Sequence, residues 1–450
     1  MMAAGVTKPQ GSTWTDDQWR AIAEGGSDLL VAAAAGSGKT AVLVERIIRR
    51  ISDEQRPVDV DRLLVATFTK AAAAEMKHRI REALENELYK QPGSEHLRRQ
   101  LALVHRASIT TLHSFCLEVV RRYFELVNLD PGFRMANDTE SELLRQEVLE
   151  ELLEEAYASS GEQDAFWQLA DWFSGERSDA DLVHLILDLY EFSRSHPWPD
   201  VWLREMAAQF APDSGADKRL GWLDSLRQDV ALELEGVSAL VEQALELCGV
   251  SGGPQPYAQT LQEELEMVQR LRLAAAQSWE LLREQMQQVG FGTLKACRGD
   301  QYDKQLQQQA KALRDQVKKT LLSLQEELFV RTTQQYGAEL QSIHPLMTKL
   351  AELVITFAER YRQEKAARGL LDFSDLEHYC LQILRAPEST PEEAIPSAAA
   401  LEYQAQFEEV LLDEYQDTNM VQESIVTLIA RSGPGNRFMV GDVKQSIVRP

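Results

Sequence analysis

Four cysteines in 450 residues, Cys116, Cys248, Cys297 and Cys380, form no C-x-x-C pair. No zinc or iron–sulfur site is therefore indicated, and reduced structural thiols are the expected state. No apolar run approaches the roughly 20 residues of a membrane span, and the start carries neither an apolar signal core nor a basic leader. A membrane partner is not expected, and a cytoplasmic location is. Basic charge is also scarce, with 47 Lys and Arg against 71 Asp and Glu, net −24. Such a balance argues at first against nucleic acid. Its distribution matters more: residues 136–345 hold 37 acidic and 18 basic side chains, net −19, and the rest is nearly balanced at −5.

The length allows two or three domains, each with its own core. Near the start, apolar runs at Asp28 to Ala33, Leu63 to Thr67 and Ile109 to Leu112 each precede a helical pattern. Such βα units imply a parallel sheet. From about Asn137 to Lys349 the strands vanish, and stretches such as "ESELLRQEVLEELLEEAY" place apolar residues three and four apart, an amphipathic helical texture. Strands return at Phe407 to Asp413 and Arg437 to Asp442, on either side of a helix from Met420 to Ala430. The expected architecture is α/β: a parallel-sheet lobe built from residues 1–136 and 350–450, interrupted by an α-helical insertion over 137–349.

The loop after the first strand reads "VAAAAGSGKT" from Val31 to Thr40. Glycines at Gly36 and Gly38 let backbone N–H groups turn inward, and the helix that follows adds its positive end. A P-loop, Ala33, Ala34, Ala35, Gly36, Ser37, Gly38, Lys39 and Thr40, is the reading: Lys39 reaches the β- and γ-phosphates and Thr40 ligates Mg²⁺. Ala33 stands where a glycine is usual, at the end of the strand, where a small side chain suffices. The second element is "VLLDEYQDT": Asp413 is expected to hold Mg²⁺ and Glu414 to orient and deprotonate water. Each motif also has a plainer reading, an Ala/Gly-rich turn and an acidic strand cap.

"WTDDQWRAI", "AAAAGSGKT", "TFTKAAAAEM", "TTLHSF", "GLLDFSDL", "LLDEYQDTN" and "VGDVKQSI" stand in an order that resembles the UvrD/Rep-like superfamily 1 DNA helicases. The forms "TTLHSFCLEVV", "LDPGFR" and "GDVKQSI" are most similar to the AddA branch, the helicase–nuclease components of bacterial recombination complexes. The resemblance implies a RecA-like lobe, ATP and Mg²⁺ as cofactors, and 3′-to-5′ movement on DNA in double-strand break repair. It also implies a heterodimer whose other member is an AddB-like nuclease subunit. Gln18 matches the glutamine that reads adenine, and Gln445 the one that senses the γ-phosphate. Thr67, Phe68 and Thr69 match a segment that grips single-stranded DNA, with Phe68 as a stacking face. His113 and Ser114 match residues on the DNA backbone. The plainer readings are a surface glutamine, a loop glutamine, a core phenylalanine and a capping histidine. Asp372 and Asp375 are read first as caps of the following helix.

Two features depart from this pattern. Val448 and Pro450 stand where the family commonly has stacking aromatics, and the second RecA-like lobe, its arginines and a nuclease domain are absent. The resemblance thus implies the N-terminal part of a longer protein that alone hydrolyses ATP poorly. A non-catalytic ATP-binding and partner-docking module and a UvrD-like repair helicase without nuclease stay open beside the first reading. Between Lys295 and Lys319, seven cations face three acids; a duplex-contacting face competes there with an ordinary solvated helix face.

Overall fold

The computed structural model describes residues 8–34, 36–53, 55–161, 164–175, 178–211, 221–299, 301–431 and 433–442. Its strands are β1 (Leu29–Ala32), β2 (Leu63–Thr67), β3 (Ser108–Thr111), β4 (Arg134–Met135), β5 (Leu370–Leu371), β6 (Glu409–Leu412) and β7 (Arg437–Gly441). The helices before β4 are α1 (Asp16–Ala23), α2 (Lys39–Ile51), α3 (Lys70–Lys90), α4 (Glu95–Leu103) and α5 (Leu112–Tyr123). Between β4 and β5 run α6 (Asp138–Ser159), α7 (Ala165–Phe173), α8 (Ala180–Ser193), α9 (Pro199–Ala208), α10 (Gly221–Gly249), α11 (Ala258–Gln277), α12 (Trp279–Met286), α13 (Lys304–Leu328) and α14 (Thr333–Ala367). After β5 come α15 (Phe373–Leu384), α16 (Ala398–Gln406) and α17 (Met420–Ile429). The chain divides into two compact units, Met1–Arg204 with Leu350–Pro450, and Glu205–Lys349.

In the first unit five strands form a parallel sheet in the order β1-β7-β6-β2-β3. The late strands therefore sit in the middle of the sheet, between β1 and β2. Sequences such as "LLVAT" and "EVLL" are buried throughout, as expected of a parallel sheet covered on both faces. Alternate residues serve opposite faces: Val65, Leu411, Phe438 and Val440 pack with α1 to α4, while Leu64, Ala66, Val410, Leu412 and Met439 pack with α5, α15, α16 and α17.

One buried ion pair crosses this packing. Arg46, 1% exposed on the apolar face of α2, donates from Nε to Glu409 Oε1 of β6 at 2.8 Å. Its Nη1 also reaches the Ala21 and Glu24 carbonyls at 2.6 Å each, and its guanidinium lies 4.3 Å from the Phe438 ring centroid. Arg50 Nε adds a bond to Glu409 Oε2 at 3.2 Å. The Arg46 guanidinium thus ties α2 to α1, β6 and β7.

Strands β4 and β5 form a separate two-stranded sheet, Arg134 beside Leu370 and Met135 beside Leu371. They bracket the long helical stretch, and two-residue strands leave no periodicity in the sequence to announce them. Just before β5, Lys365 is buried with its Nζ 2.7 Å from Asp372 Oδ2 and 2.5 Å from Asp375 Oδ2. Burial opposes charge on both acids; Lys365 outweighs it at Asp372, whose pKa is lowered, while burial and the neighbouring Asp372 leave that of Asp375 raised. The two aspartates also form the capping box of α15. The capping role read from the sequence is present, and the buried lysine adds to it.

The second unit is helical. Val241, Val268, Leu271, Leu282, Val317 and Leu321 form its core, where Trp279 and Phe329 stack at 4.7 Å. The Lys295 to Lys319 stretch is not one exposed face. Arg314 is buried and bonds Glu264 through Nε at 2.9 and 3.0 Å and, through Nη2, the Gly292 carbonyl at 2.5 Å. Lys318 lies 5.3 Å from the Phe291 ring. Among the described residues no helix is long and apolar enough to cross a membrane.

Candidate nucleotide and nucleic-acid site

In open α/β sheets, ligands sit outside the carboxyl ends of the strands. Here those ends carry the loop after β1, the Thr67-Phe68-Thr69 segment after β2, His113 and Ser114 after β3, and Asp413 and Glu414 after β6. A cleft of about 390 Å³ at this edge is lined by Thr40, Thr67, Phe68, Thr69, Asp413 and Glu414 among others. The sheet thus brings together residues more than 370 positions apart in sequence.

The loop after β1 keeps pairing briefly, with Ala33 N donating to Gly441 O at 3.0 Å, and then turns at Ser37 N to Ala34 O, 3.2 Å. Gly36 and Gly38 take φ of 73° and 84°, the left-handed region in which a side chain would be strained. Gly38 is the N-cap of α2, and no side chain caps that helix. Its first-turn N–H groups are left for a ligand. Lys39 follows with its side chain only 10% exposed, and Glu414 Oε2 lies 4.0 Å from its Nζ. Its Nζ and the Ser37 hydroxyl are buried without a hydrogen-bond partner among the described residues. A buried ammonium left so is costly unless an anion completes it, and this is the observation that fits a phosphate chain to the loop.

Opposite, Asp413 continues the sheet through its N–H to Ala66 O at 2.9 Å. Burial, followed by the charge of Glu414, pushes the Asp413 carboxyl above its ordinary pKa. A cation placed there would reverse that penalty. Glu414 adopts φ 54°, ψ 45°, an uncommon conformation for a side-chain-bearing residue. Such strain clusters at functional sites.

Gln416 holds this bend and is a residue the sequence reading missed. Its Nε2 donates to Glu414 Oε2 at 2.7 Å and to Asp417 Oδ2 at 3.2 Å, and its Oε1 accepts from Asp442 N at 2.9 Å. A Cβ on Gly441 would lie 2.7 Å from Gln416 Oε1, so that glycine is needed for the close approach. The only local hint was an amide flanked by acids in "DEYQDT".

Gln18 lies at the other side of the loop. Its Oε1 accepts from Thr15 N at 2.9 Å in the capping box of α1, and its Nε2 donates to Ser37 O at 2.9 Å. Its amide therefore both caps a helix and touches the loop. Gln445 and Ala35 lie outside the described residues, as do Val448 and Pro450.

Phe68 is 53% exposed and so is not a core residue. Thr67 Oγ1 donates to Thr69 O at 3.1 Å, and Thr69 Oγ1 caps α3 by accepting from Ala72 N at 3.1 Å. Ser114 pairs with the N-cap Thr111 at 2.9 Å between hydroxyls. His113 Nε2 lies 3.1 Å from Glu377 Oε1, and its ring meets Phe373 edge-on at 5.5 Å. Phe373, 54% exposed, is a second unshielded aromatic that the sequence reading left unmarked.

Cavity size alone does not choose this cleft. Another, of about 430 Å³, is lined by Arg194, Trp198, Arg362, Lys365, Asp375 and Arg385 among others. There Arg194 and Lys365 meet Asp375, Arg362 meets Glu359, and Arg385 stacks on Trp198 at 3.6 Å. Those cations already have partners, whereas Lys39 has none within hydrogen-bonding reach among the described residues.

The chain belongs to the UvrD/REP helicase N-terminal domain family, whose model matches residues 14–214 and 239–449. It is 52% identical over 445 residues to the ATP-dependent helicase/nuclease A subunit of Geobacillus kaustophilus, covering 98% of this chain and 36% of that protein. The proteins of the same name from Geobacillus thermodenitrificans and Bacillus anthracis are 51% and 48% identical, over 100% of this chain and 36% of each relative. The chain therefore spans about a third of the length of the curated relatives it matches.

Proposed function

We propose that this chain is the ATP-binding lobe of an AddA-like ATP-dependent DNA helicase/nuclease, with a P-loop at Ala33 to Thr40 and a helical domain inserted into a RecA-like lobe. The observation that carries it is the convergence of Lys39, Thr40, Asp413 and Glu414 with the Thr67-Phe68-Thr69 segment around one edge of the sheet. In this reading the α2 N-terminus and Lys39 Nζ take the phosphates, while the Thr40 hydroxyl and the Asp413 carboxylate hold Mg²⁺. The metal, when bound, supplies charge neutralisation of the phosphates and fixes their orientation. Glu414 orients a water and accepts its proton, and Gln416 keeps the Glu414 carboxylate in position.

Phe68 and Phe373 offer faces for single-stranded bases, and the threonines and His113 offer donors for phosphates. DNA, single-stranded and at a duplex end, is the proposed polymer, and an AddB-like nuclease the proposed protein partner. The whole protein is proposed to work in double-strand break repair in the cytoplasm.

Titration of the 450-residue chain with a fluorescent Mg·ATP analogue and with a labelled oligothymidylate tests this reading. Binding of both is expected, and binding of neither contradicts it. Phe68→Ala is expected to weaken the oligothymidylate by about 1–3 kcal/mol and to leave the nucleotide affinity within about twofold. Unchanged oligonucleotide affinity would remove Phe68 from the surface.

A further inference from the structure

We infer that Glu377 is a positioning residue that couples nucleic-acid contact at His113 to the carboxylate loop of the nucleotide site. This rests on the function proposed above and adds to it the route between the two ligands. Glu377 lies on α15, is 4% exposed, and makes no direct approach to Lys39, Thr40 or Asp413 among the described contacts. Three side chains converge on it. His113 Nε2 stands 3.1 Å from Oε1, Gln422 Nε2 donates to Oε1 at 2.6 Å, and Asn419 Nδ2 donates to Oε2 at 3.2 Å. These hydrogen bonds hold the carboxylate below its ordinary pKa although burial opposes this.

The donors come from the two places the proposed function has to connect. His113 is in the first turn of α5, at the carboxyl end of β3, its side chain 39% exposed and edge-on to the exposed Phe373. Asn419 is the N-cap of α17, where its Oδ1 accepts from Gln422 N at 2.8 Å. The residues just before it, 413–418, are the acidic loop itself. A space of about 40 Å³ is lined by Phe68, His113, Asp413, Glu414, Thr418 and Gln422, so the histidine and the loop also face each other across a gap of roughly one water molecule.

Buried hydrogen-bond networks respond as units, because a donor or acceptor left without its partner is costly in a low dielectric. When a phosphate oxygen draws His113 outward, Glu377 loses one of three donors, and the other two lie on the start of α17. The carboxylate re-seats against Asn419 and Gln422, and the cap that ends the acidic loop moves with them. By linkage, a nucleotide that orders the loop changes the grip at His113 by the same factor.

The test is a double titration of the 450-residue chain. The affinity for a labelled oligothymidylate is measured with and without a saturating non-hydrolysable Mg·ATP analogue, in the unchanged chain, Glu377→Gln and Gln422→Ala. In the unchanged chain the two ligands are expected to alter each other's affinity by at least about fivefold. In both variants each ligand alone is expected to bind within about twofold of the unchanged chain, and the coupling factor to fall to near one. Glu377→Asp should restore part of it. A purely structural role would lower both single-ligand affinities or neither, and would leave the factor intact. Retained coupling in the variants overturns the inference, as does an unchanged chain that binds both ligands without coupling. Should Glu377→Gln fail to fold, Gln422→Ala decides alone. An unchanged chain that binds neither ligand overturns the proposed function itself, and the relay with it.

Discussion

Lys39→Ala is expected to weaken Mg·ATP binding by about 2–4 kcal/mol, on the order of 30- to 1,000-fold. The ammonium is buried 4.0 Å from Glu414 and has no hydrogen bond among the described residues, so in the ligand-free chain it carries a desolvation cost with little return. Removing it should therefore leave the stability of the free chain unchanged or raise it by up to about 1 kcal/mol. Opposite signs for binding and folding distinguish a ligand-holding lysine from a structural one. Calorimetric titration and a thermal melt of the same two proteins read both. A loss of stability with nucleotide affinity intact would assign Lys39 to the fold.

Glu409→Ala should give the largest loss of stability. It leaves Arg46, with two carbonyl contacts and the Phe438 ring, as a buried guanidinium without its carboxylate. Breaking one side of such a pair costs about 3–5 kcal/mol, a large part of the roughly 5–15 kcal/mol typical of a whole domain. Replacing both partners by apolar residues, Arg46→Met with Glu409→Leu, should recover most of that loss. Urea denaturation of the single and double variants tests it. A single-variant loss under about 1 kcal/mol would mean that the Ala21 and Glu24 carbonyls and the Phe438 ring already satisfy the guanidinium.

Much of the sheet lobe was legible in the sequence because apolar runs ending in Gly, Thr or Asp are the local mark of a buried parallel strand followed by a helix. The strands at 28–33, 63–67 and 437–442 read in this way contain the observed β1, β2 and β7. The third run, read from Ile109, begins one residue earlier at Ser108, since a polar residue at a strand start gives no hydrophobic signal. Lys39, Thr40, Asp413 and Glu414 were legible because each sits at a fixed offset from a strand or glycine.

What the sequence did not disclose is what depends on distant partners. Gln416 acts through the approach of Gly441, and Glu377 through His113 and the α17 cap. Arg46 and Glu409 are 363 positions apart. A charge at the buried phase of α2, between Val42, Leu43 and Ile47, was a legible anomaly, but its partner was not. In the basic stretch of the second unit, charge count suggested exposure, while Arg314 is turned inward by Glu264.

The nucleotide is expected to occupy the strand-end cleft. Hydrogen–deuterium exchange of the chain, with and without a non-hydrolysable Mg·ATP analogue, tests it most directly. Protection is predicted for residues 36–42, the loop and first helical turn that carry Thr40, and for 413–418, the loop that carries Asp413 and Glu414, with exchange around Trp198 and Arg385 unchanged. Protection at Trp198 and Arg385 with none at Lys39 and Asp413 would contradict it.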